Sequence, residues 1–581
     1  MRTRVLIGTA AAAATAAASL VAGPASGAGA APASGTAGPR QFVVLYEPGV
    51  SDAQARAAIT AAGGTVRSSN AAVGYAVADS AAPDFGLRAA RSGALVGAAT
   101  NRSIGSAPAS RPARSVLERL PAERAAARAS GVAPRAAAAD RTFEPLASRQ
   151  WDMRQIGATA KGSYALQRGS KKVLVGIIDT GVEGSHPDIR PNFSKVLSRN
   201  FTTDMRDIDN GDDADKDGLG DEPCEVEPTC VDPVDRDDDG HGTHVASTIG
   251  SPINGVGIAG VAPNVTLVNI RAGQDSGYFF LQPTLDALTY AGDLGVDVVN
   301  MSFYVDPWLY NCTSNPADSP EEQAEQRTIR QAVQRAVTYA RNKGVLPVAA
   351  AGNGATDLGH PTVDTSSPDY PADAPKERAI TNACLTVPTE TTGVVAVTST
   401  GISTRKAYYS DYGIEQADVS APGGDYYDTA DQKGDVKGLV LAAYPTRLAR
   451  KNGDIDSAGA PTSPFVVRDC TSGRCSYYQY LQGTSMASPH AAGVAALIVS
   501  QYGRTDTATG HAAGLTLAPY KTEGLLTGSA RNHACPAGGR YDYRRILANG
   551  TVATATHLCE GTTDRNGFYG EGIVSARRAV S

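Results

Sequence analysis

A buried helix that opens on glycine, serine and proline is an unusual place for a hydroxyl. The stretch LQGTSMASPHAAGVAALIVSQY, residues 481–502, is small or apolar from Ala491 to Val499, yet Gly483, Ser485 and Pro489 crowd its start. Two readings are open. Ser485 could simply cap the helix, with Pro489 tolerated in its first turn. Alternatively, the start of a buried helix suits a nucleophile, because backbone N–H groups point outward there and the dipole favours developing negative charge. A serine hydroxyl needs a base, and the base needs an orienting group. The chain offers both types: Asp179 ends the apolar run KKVLVGIIDTG, and His241 sits in DGHGTHVAS. The order Asp, His, Ser is one of those in which a catalytic triad occurs.

The elements needed to position these residues follow from the pattern around them. KKVLVGIIDTG, NVTLVNIRAG, VDVVNMS, GVLPVAAAGN and TGVVAVTST are apolar strands, and helical stretches such as 279–295 and 322–342 alternate with them. Strand alternating with helix implies a mostly parallel sheet covered on both faces, an α/β fold. Sites in such sheets lie at the C-terminal strand ends. Asp179, Ser302 and Asn353 all fall there. Before residue 145 the texture differs. QFVVLY (41–46), a helix after Ser51 and AAVGYAVAD (71–79) form a small β-α-β unit. The Arg/Ala-rich run 111–141 has too few large apolar residues to form a core and reads as an exposed helix or a disordered connector.

The chain has 581 residues, more than one average domain, and no internal repeat is evident. A net charge of −6 argues against nucleic acid or an anionic membrane as partner. Arg2 and Arg4, then a long Ala-rich run and small residues around Ser26-Gly27-Ala28, read as a secretory signal peptide rather than a membrane anchor. All eight cysteines lie at or beyond Cys224, which suits disulfides in a secreted chain. No later stretch is long and apolar enough to span a bilayer.

IIDTGVEGSHPD, HGTHVA, NMS, AAAGN and GTSMASPHAAGVAALI together resemble the signature blocks of the subtilase family of serine endopeptidases, and FYGEGIVSARRAV (568–580) resembles the end of its catalytic domain. The resemblance implies a subtilisin-like three-layer α/β fold over 145–581. It implies an inhibitor-like prodomain at 29–105, between the signal peptide read at 1–28 and the Arg/Ala-rich connector at 106–144. It gives Ser485 as nucleophile, His241 as general base and then acid, Asp179 as the group that orients the imidazole, and Asn353 as the oxyanion-stabilising amide. It places substrate along Ser302, Phe303 and Tyr304, along Asp275, Ser276 and Gly277, and at Ala350, Ala351 and Gly352. The family's Leu-Gly-Gly after NMS is here Phe303, Tyr304 and Val305, so side-chain preference should differ, and relative to the family the chain carries insertions at 201–236, about 305–325, 358–380 and 425–478. His244, three residues after His241, could form a metal pair with it but reads as structural, as do His186 and His490.

The resemblance also implies a structural calcium held by Asp188, the Asn254 side chain and the carbonyls of Pro252, Val256 and Ile258. Independently of the family, DADKDGLGD spaces Asp213, Asp215, Asp217 and Asp221 as an oxygen-ligand loop would, although Cys224 stands where a Glu would close it. The alternative is a solvated acidic insertion. Disulfides are expected at Cys224–Cys230, Cys312–Cys384, Cys470–Cys475 and Cys535–Cys559, although spacing alone does not fix connectivity. The function that follows is a secreted, monomeric endopeptidase acting on proteins or peptides, with its own prodomain as intramolecular inhibitor and no organic cofactor. Its rivals are a narrow processing or tripeptidyl-type peptidase, and an inactive subtilase fold used for binding.

Overall fold

The computed structural model describes residues 39–101, 114–129, 143–204, 230–369, 375–471, 473–505 and 514–581. The signal-peptide region, the four aspartates of the acidic loop and Cys224 lie outside these residues.

Seven parallel strands form the central sheet, in the spatial order Val419–Pro422, Val395–Thr400, Leu346–Ala350, Val298–Met301, Leu174–Ile178, Thr266–Arg271 and Arg199–Asn200. Successive side chains of a strand point to opposite faces, and the packing follows that rule. Val175, Ile177, Val298 and Val348 join one core with the helices His241–Gly250 and Thr484–Tyr502. Ile178, Val299, Met301 and Ala349 join a second core with Leu281–Leu294 and Pro320–Asn342. Both faces are thus covered, which is why these strands read as continuous apolar runs. The chain enters at Leu174–Ile178, proceeds to one side and then crosses to Val298–Met301 on the other. The ends of these two strands mark the switch point, where open α/β sheets leave a crevice.

The N-terminal unit is larger than the β-α-β expected. It is a four-stranded antiparallel sheet with order Thr65–Asn70, Tyr75–Ser80, Arg40–Tyr46, Leu95–Thr100. Thr65–Asn70 escaped sequence reading because TVRSSN is a mostly exposed, polar edge strand. Ser51 caps the helix Asp52–Ala61 in a reciprocal box with Gln54. One sheet face contributes Val43, Leu45 and Tyr75 to the core of helices Leu281–Leu294 and Pro320–Asn342. Polar contacts fix the docking: Tyr75 donates to Asp286 at 2.5 Å, and Arg335 donates to the Tyr46 carbonyl at 2.6 Å.

The largest departure from expectation is the connector. Arg114–Arg119 and Pro121–Ala129 are helices, and Glu118, Leu120 and Arg124 are buried against the rest of the protein. Its apolar content is indeed too low for a core of its own; it borrows one, with Leu120 packed into the larger cluster. Disulfides Cys312–Cys384, Cys470–Cys475 and Cys535–Cys559 form as expected, and Cys230 is also disulfide-bonded. Among the described residues, no helix is long and apolar enough to cross a membrane.

Candidate active site

Asp179 stands one residue past the strand Leu174–Ile178 and is fully buried. His241 is the first residue of its helix, which follows Gly240 at φ 93°. Asp237 shapes this entry, accepting from the backbone N–H of Gly240 and Thr243 at 2.8 Å each. Sequence reading missed Asp237, one of several acids in DRDDDG. With the turn fixed, His241 Nδ1 donates to Asp179 Oδ1 at 2.7 Å.

Ser485 is the second residue of the helix Thr484–Tyr502, whose residues 484–499 are all buried. Pro489 lies in the second turn of this helix, beyond the first turn expected. Having no N–H, it leaves the Ser485 carbonyl without its intrahelical donor. Ser302 Oγ fills the role, donating to that carbonyl at 3.0 Å, while Asn300 Nδ2 donates to Ser302 Oγ at 2.8 Å. Ser302, expected along the substrate, thus also holds the serine helix. On the other side, the Thr484 N–H and hydroxyl both donate to Asn353 Oδ1 at 2.9 Å, which turns Asn353 Nδ2 the opposite way.

Asp179–His241, Ser485 and Asn353 converge on a fifth residue, Glu118. Ser485 Oγ donates to Glu118 Oε1 at 2.7 Å, Asn353 Nδ2 donates to the same oxygen at 3.1 Å, and His241 Nε2 lies 3.4 Å from Glu118 Oε2. Gly483 has φ 151°, a conformation that favours glycine, and a Cβ there would come within 2.9 Å of Glu118 Oε1 and push on the carboxylate. Burial disfavours the charged imidazole, but Asp179 and then Glu118 outweigh it and raise the His241 pKa to about 9. His241 is therefore protonated at neutral pH in this arrangement. Sequence reading missed Glu118, because a Glu in an Arg/Ala-rich helix carries no signal of its target.

Beside Ser485 opens a cavity of about 490 Å³, with Ser302, Phe303, Tyr304, Ala350, Ala351, Gly352 and Asn353 in its wall. Tyr304 donates its hydroxyl to Asp369, so its ring is turned to the wall. Asp275, Ser276 and Gly277 do not line this cavity. They form a turn in which Gly277 N–H donates to the Gln274 carbonyl, and Asp275 is bound to Arg271 at 2.9 Å. His244 Nε2 faces the carbonyls of Gln479 and Val440, and His186 Nε2 that of Tyr477, which makes both structural. His490 is buried between the Met486 carbonyl and Asp152.

Two acidic groupings bear on metal binding. Asp204, Asp232 and Asp275 close on one another, but the Arg271 guanidinium donates to all three and supplies the positive charge. At the loop 252–258, Asp188 Oδ2 accepts from Ile258 N–H at 2.9 Å and from the Tyr478 hydroxyl at 2.8 Å, while its Oδ1 is buried without a partner. Glu144 Oε1 accepts from Gly255 N–H at 3.1 Å and its Oε2 is likewise buried and unpartnered. Burial raises both pKa values, that of Glu144 to about 7, and the negative charge of Glu144 adds to the rise at Asp188. Asn254 spends its side-chain oxygen on Val256 N–H. Two buried carboxylates, each with one oxygen left unpartnered, offer oxygen donors of the kind a hard cation takes. Glu144 had escaped sequence reading.

The chain aligns with thermitase of Thermoactinomyces vulgaris at 28% identity over 358 residues, 61% of this chain and 84% of that protein. It aligns with subtilisin DY of Bacillus licheniformis at 29% over 332 residues, 57% and 77% respectively. Among solved structures, the epidermin leader peptide processing serine protease EpiP of Staphylococcus aureus superposes with a TM-score of 0.56 at 20% identity, covering 94% of this chain and 98% of that one. Fervidolysin from Fervidobacterium pennivorans gives 0.52 at 20% identity, covering 93% and 61%. The model of the subtilase family matches residues 170–538, the span that carries Asp179, His241, Asn353 and Ser485, and the chain belongs to that family of serine endopeptidases.

Proposed function

We propose that this subtilase hydrolyses peptide bonds through an acyl-enzyme on Ser485. The convergence of Ser485 Oγ, His241 Nε2 and Asn353 Nδ2 on one carboxylate within 3.4 Å carries the reading. That carboxylate occupies the place of a reacting carbonyl. In catalysis Ser485 Oγ attacks the carbonyl carbon and its proton passes to His241 Nε2. Asp179 holds the ring by Nδ1–H and stabilises the imidazolium. The oxyanion takes Asn353 Nδ2–H and the Ser485 backbone N–H, donors fixed before reaction. His241 returns the proton to the leaving amine, and water then repeats the sequence to free the acid.

The chain is a secreted precursor in this reading. The N-terminal four-stranded unit is its prodomain, seated on helices Leu281–Leu294 and Pro320–Asn342, and the enzyme itself cuts between about 105 and 148 once the segment around Glu118 has opened away from Ser485. Asp188, Glu144 and the loop 252–258 hold a structural calcium, which supplies charge compensation and no chemistry. Narrow processing is favoured over broad digestion by one observation: Thr365, Ser366 and Asp369 of the insertion at 358–380 close the wall of the cavity beside Ser485. A serine-directed fluorophosphonate tests the assignment. Mapping should find the label on Ser485 of the processed enzyme and none on Ser485→Ala. A binding protein with a dead site would not label.

A further inference from the structure

Glu118 is not a substrate residue, and its chemistry shows why. A peptide is cut when its extended backbone presents a carbonyl beside the serine. Here the backbone around Glu118 is helical, and what reaches the oxyanion donors is a side-chain carboxylate. It has no leaving group, and its negative charge repels an attacking oxygen. Ser485 points its hydroxyl at this carboxylate, so His241 Nε2 receives no hydrogen bond from it.

The segment is anchored on both sides of the carboxylate. Gln482, three residues before Ser485, donates its side chain to the Leu117 carbonyl at 3.1 Å and its backbone N–H to that of Glu118 at 3.3 Å. Arg119 donates to Asp239 at 2.6 Å, and Asp239 in turn accepts from the His241 backbone N–H at 3.0 Å. Farther along, Arg124 and Arg128 share Asp454 at 3.4 and 2.6 Å. Leu117 lines the substrate cavity itself. Leu120 at φ 49° turns the chain between the two helices, a conformation a leucine adopts only when its surroundings impose it.

On the reading of Ser485 as nucleophile, we propose that Glu118 is a built-in carboxylate inhibitor that fills the oxyanion site and keeps the unprocessed chain latent, delivered by the segment 114–129 and released when that segment leaves. Glu118 also adds, after Asp179, to the negative charge that favours a protonated His241, and an imidazolium cannot accept the serine proton.

The test uses the full chain and follows unprocessed and processed bands separately on a gel during fluorophosphonate labelling. The unprocessed wild-type band should label at least a hundredfold more slowly than the processed band. Glu118→Gln keeps the shape but loses the charge, and its unprocessed band should label at least tenfold faster than wild type. Asp454→Asn loosens the anchor without touching the carboxylate and should speed labelling in the same direction, which keeps the test valid should Glu118→Gln fail to fold. Unprocessed bands of both variants labelling at the wild-type rate would overturn the proposal. If the processed band failed to label as well, the assignment of Ser485 would fall instead.

Discussion

Two carboxylates face His241 from opposite sides, and they are held in different ways. Asp179 belongs to the sheet: it is fully buried at a strand end and bonded at 2.7 Å to Nδ1. Glu118 belongs to a short helix joined to the rest by Arg119, Arg124, Arg128 and the Gln482 bonds, with Leu120 its main apolar anchor. A buried strand opens only with the whole fold, whereas a segment tied on by charge and a few hydrogen bonds opens locally. The difference separates permanent machinery from a removable part. It also explains why two chemically similar groups on one imidazole have opposite effects: one orients the base, and the other occupies the place where the base would act.

The largest effects should come from breaking the permanent side. In the processed enzyme, Ser485→Ala should lower kcat by about 10⁶-fold and Asp179→Asn by about 10⁴-fold, with unfolding curves unchanged. Asn353→Ala should cost about 10²- to 10³-fold, since it removes one oxyanion donor. Peptide kinetics on matched substrates read all three. An Asp179→Asn enzyme with near-normal kcat would show that the two carboxylates are not different in kind.

The same contrast marks what the sequence revealed. Asp179, His241, Asn353 and Ser485 stand beside glycines at the ends of periodic apolar elements, so both type and position were visible. The parallel sheet was legible because its strands are apolar on both faces. Glu118 and Glu144 were not, because a long-range contact of a side chain from a polar helix or loop leaves no local periodicity. Thr65–Asn70 was missed for a related reason, an exposed edge strand lacking the alternation that reveals others. Pro489 was placed a turn too early, since the donor that replaces its missing N–H, Ser302, lies far away in sequence.

The cation loop and the Arg271 cluster differ in how their acids are compensated. Asp204, Asp232 and Asp275 carry their own guanidinium, but Asp188 and Glu144 have no such partner among their contacts. Removing calcium should therefore lower Tm, by the equivalent of about 2.7 kcal/mol if measured from a hundredfold excess over Kd. Asp188→Asn and Glu144→Gln should each blunt that response. The pH dependence has a defined sign. A buried acid with a raised folded pKa favours folding most below its unfolded value, and that stability is lost as pH rises through the folded value. In chelator, stability should fall as pH rises from about 4.5 to about 7 for Glu144, and calcium should restore it. Melting curves with and without chelator at several pH values check this, and curves that superpose would remove the site.

The pH response of the catalytic imidazole sharpens the contrast between Asp179 and Glu118. Burial opposes charge on His241, but Asp179, Glu118 and Asp239 outweigh it and raise its pKa to about 9. For a base with a raised folded pKa, the stabilisation is complete below the unfolded value of 6.5 and is lost as pH rises through about 9. The contact with Glu118 should weaken in that upper window, so the unprocessed chain should label faster above about pH 9. Once the segment has left, one of these three negative charges is gone, and the midpoint should fall. Labelling rate against pH for both bands measures the two midpoints. Equal midpoints would mean that Glu118 does not act on His241.

The smallest effect concerns the cavity wall, where an insertion meets the sheet. Phe303 stacks on Phe279 with centroids 4.1 Å apart, and so belongs to the core. Tyr304, the next residue, is half-buried and tied by its hydroxyl to Asp369 of the insertion. The tie keeps the phenol against the cavity, where it takes up volume that the family's glycine leaves open. Tyr304→Gly should therefore raise the ratio of kcat/KM for Phe over Ala at the residue before the scissile bond. A clash in an apolar pocket is worth about 1–3 kcal/mol, and a ring at the wall should fall at the lower end, near tenfold. Asp369→Asn keeps the ring but weakens its tether, so it should move the ratio in the same direction by less. Kinetics on peptides differing only in Phe, Leu or Ala at that position decide the matter. An unchanged ratio in Tyr304→Gly would place selectivity elsewhere in the wall, leaving Thr365 and Ser366 of the same insertion as the next residues to change.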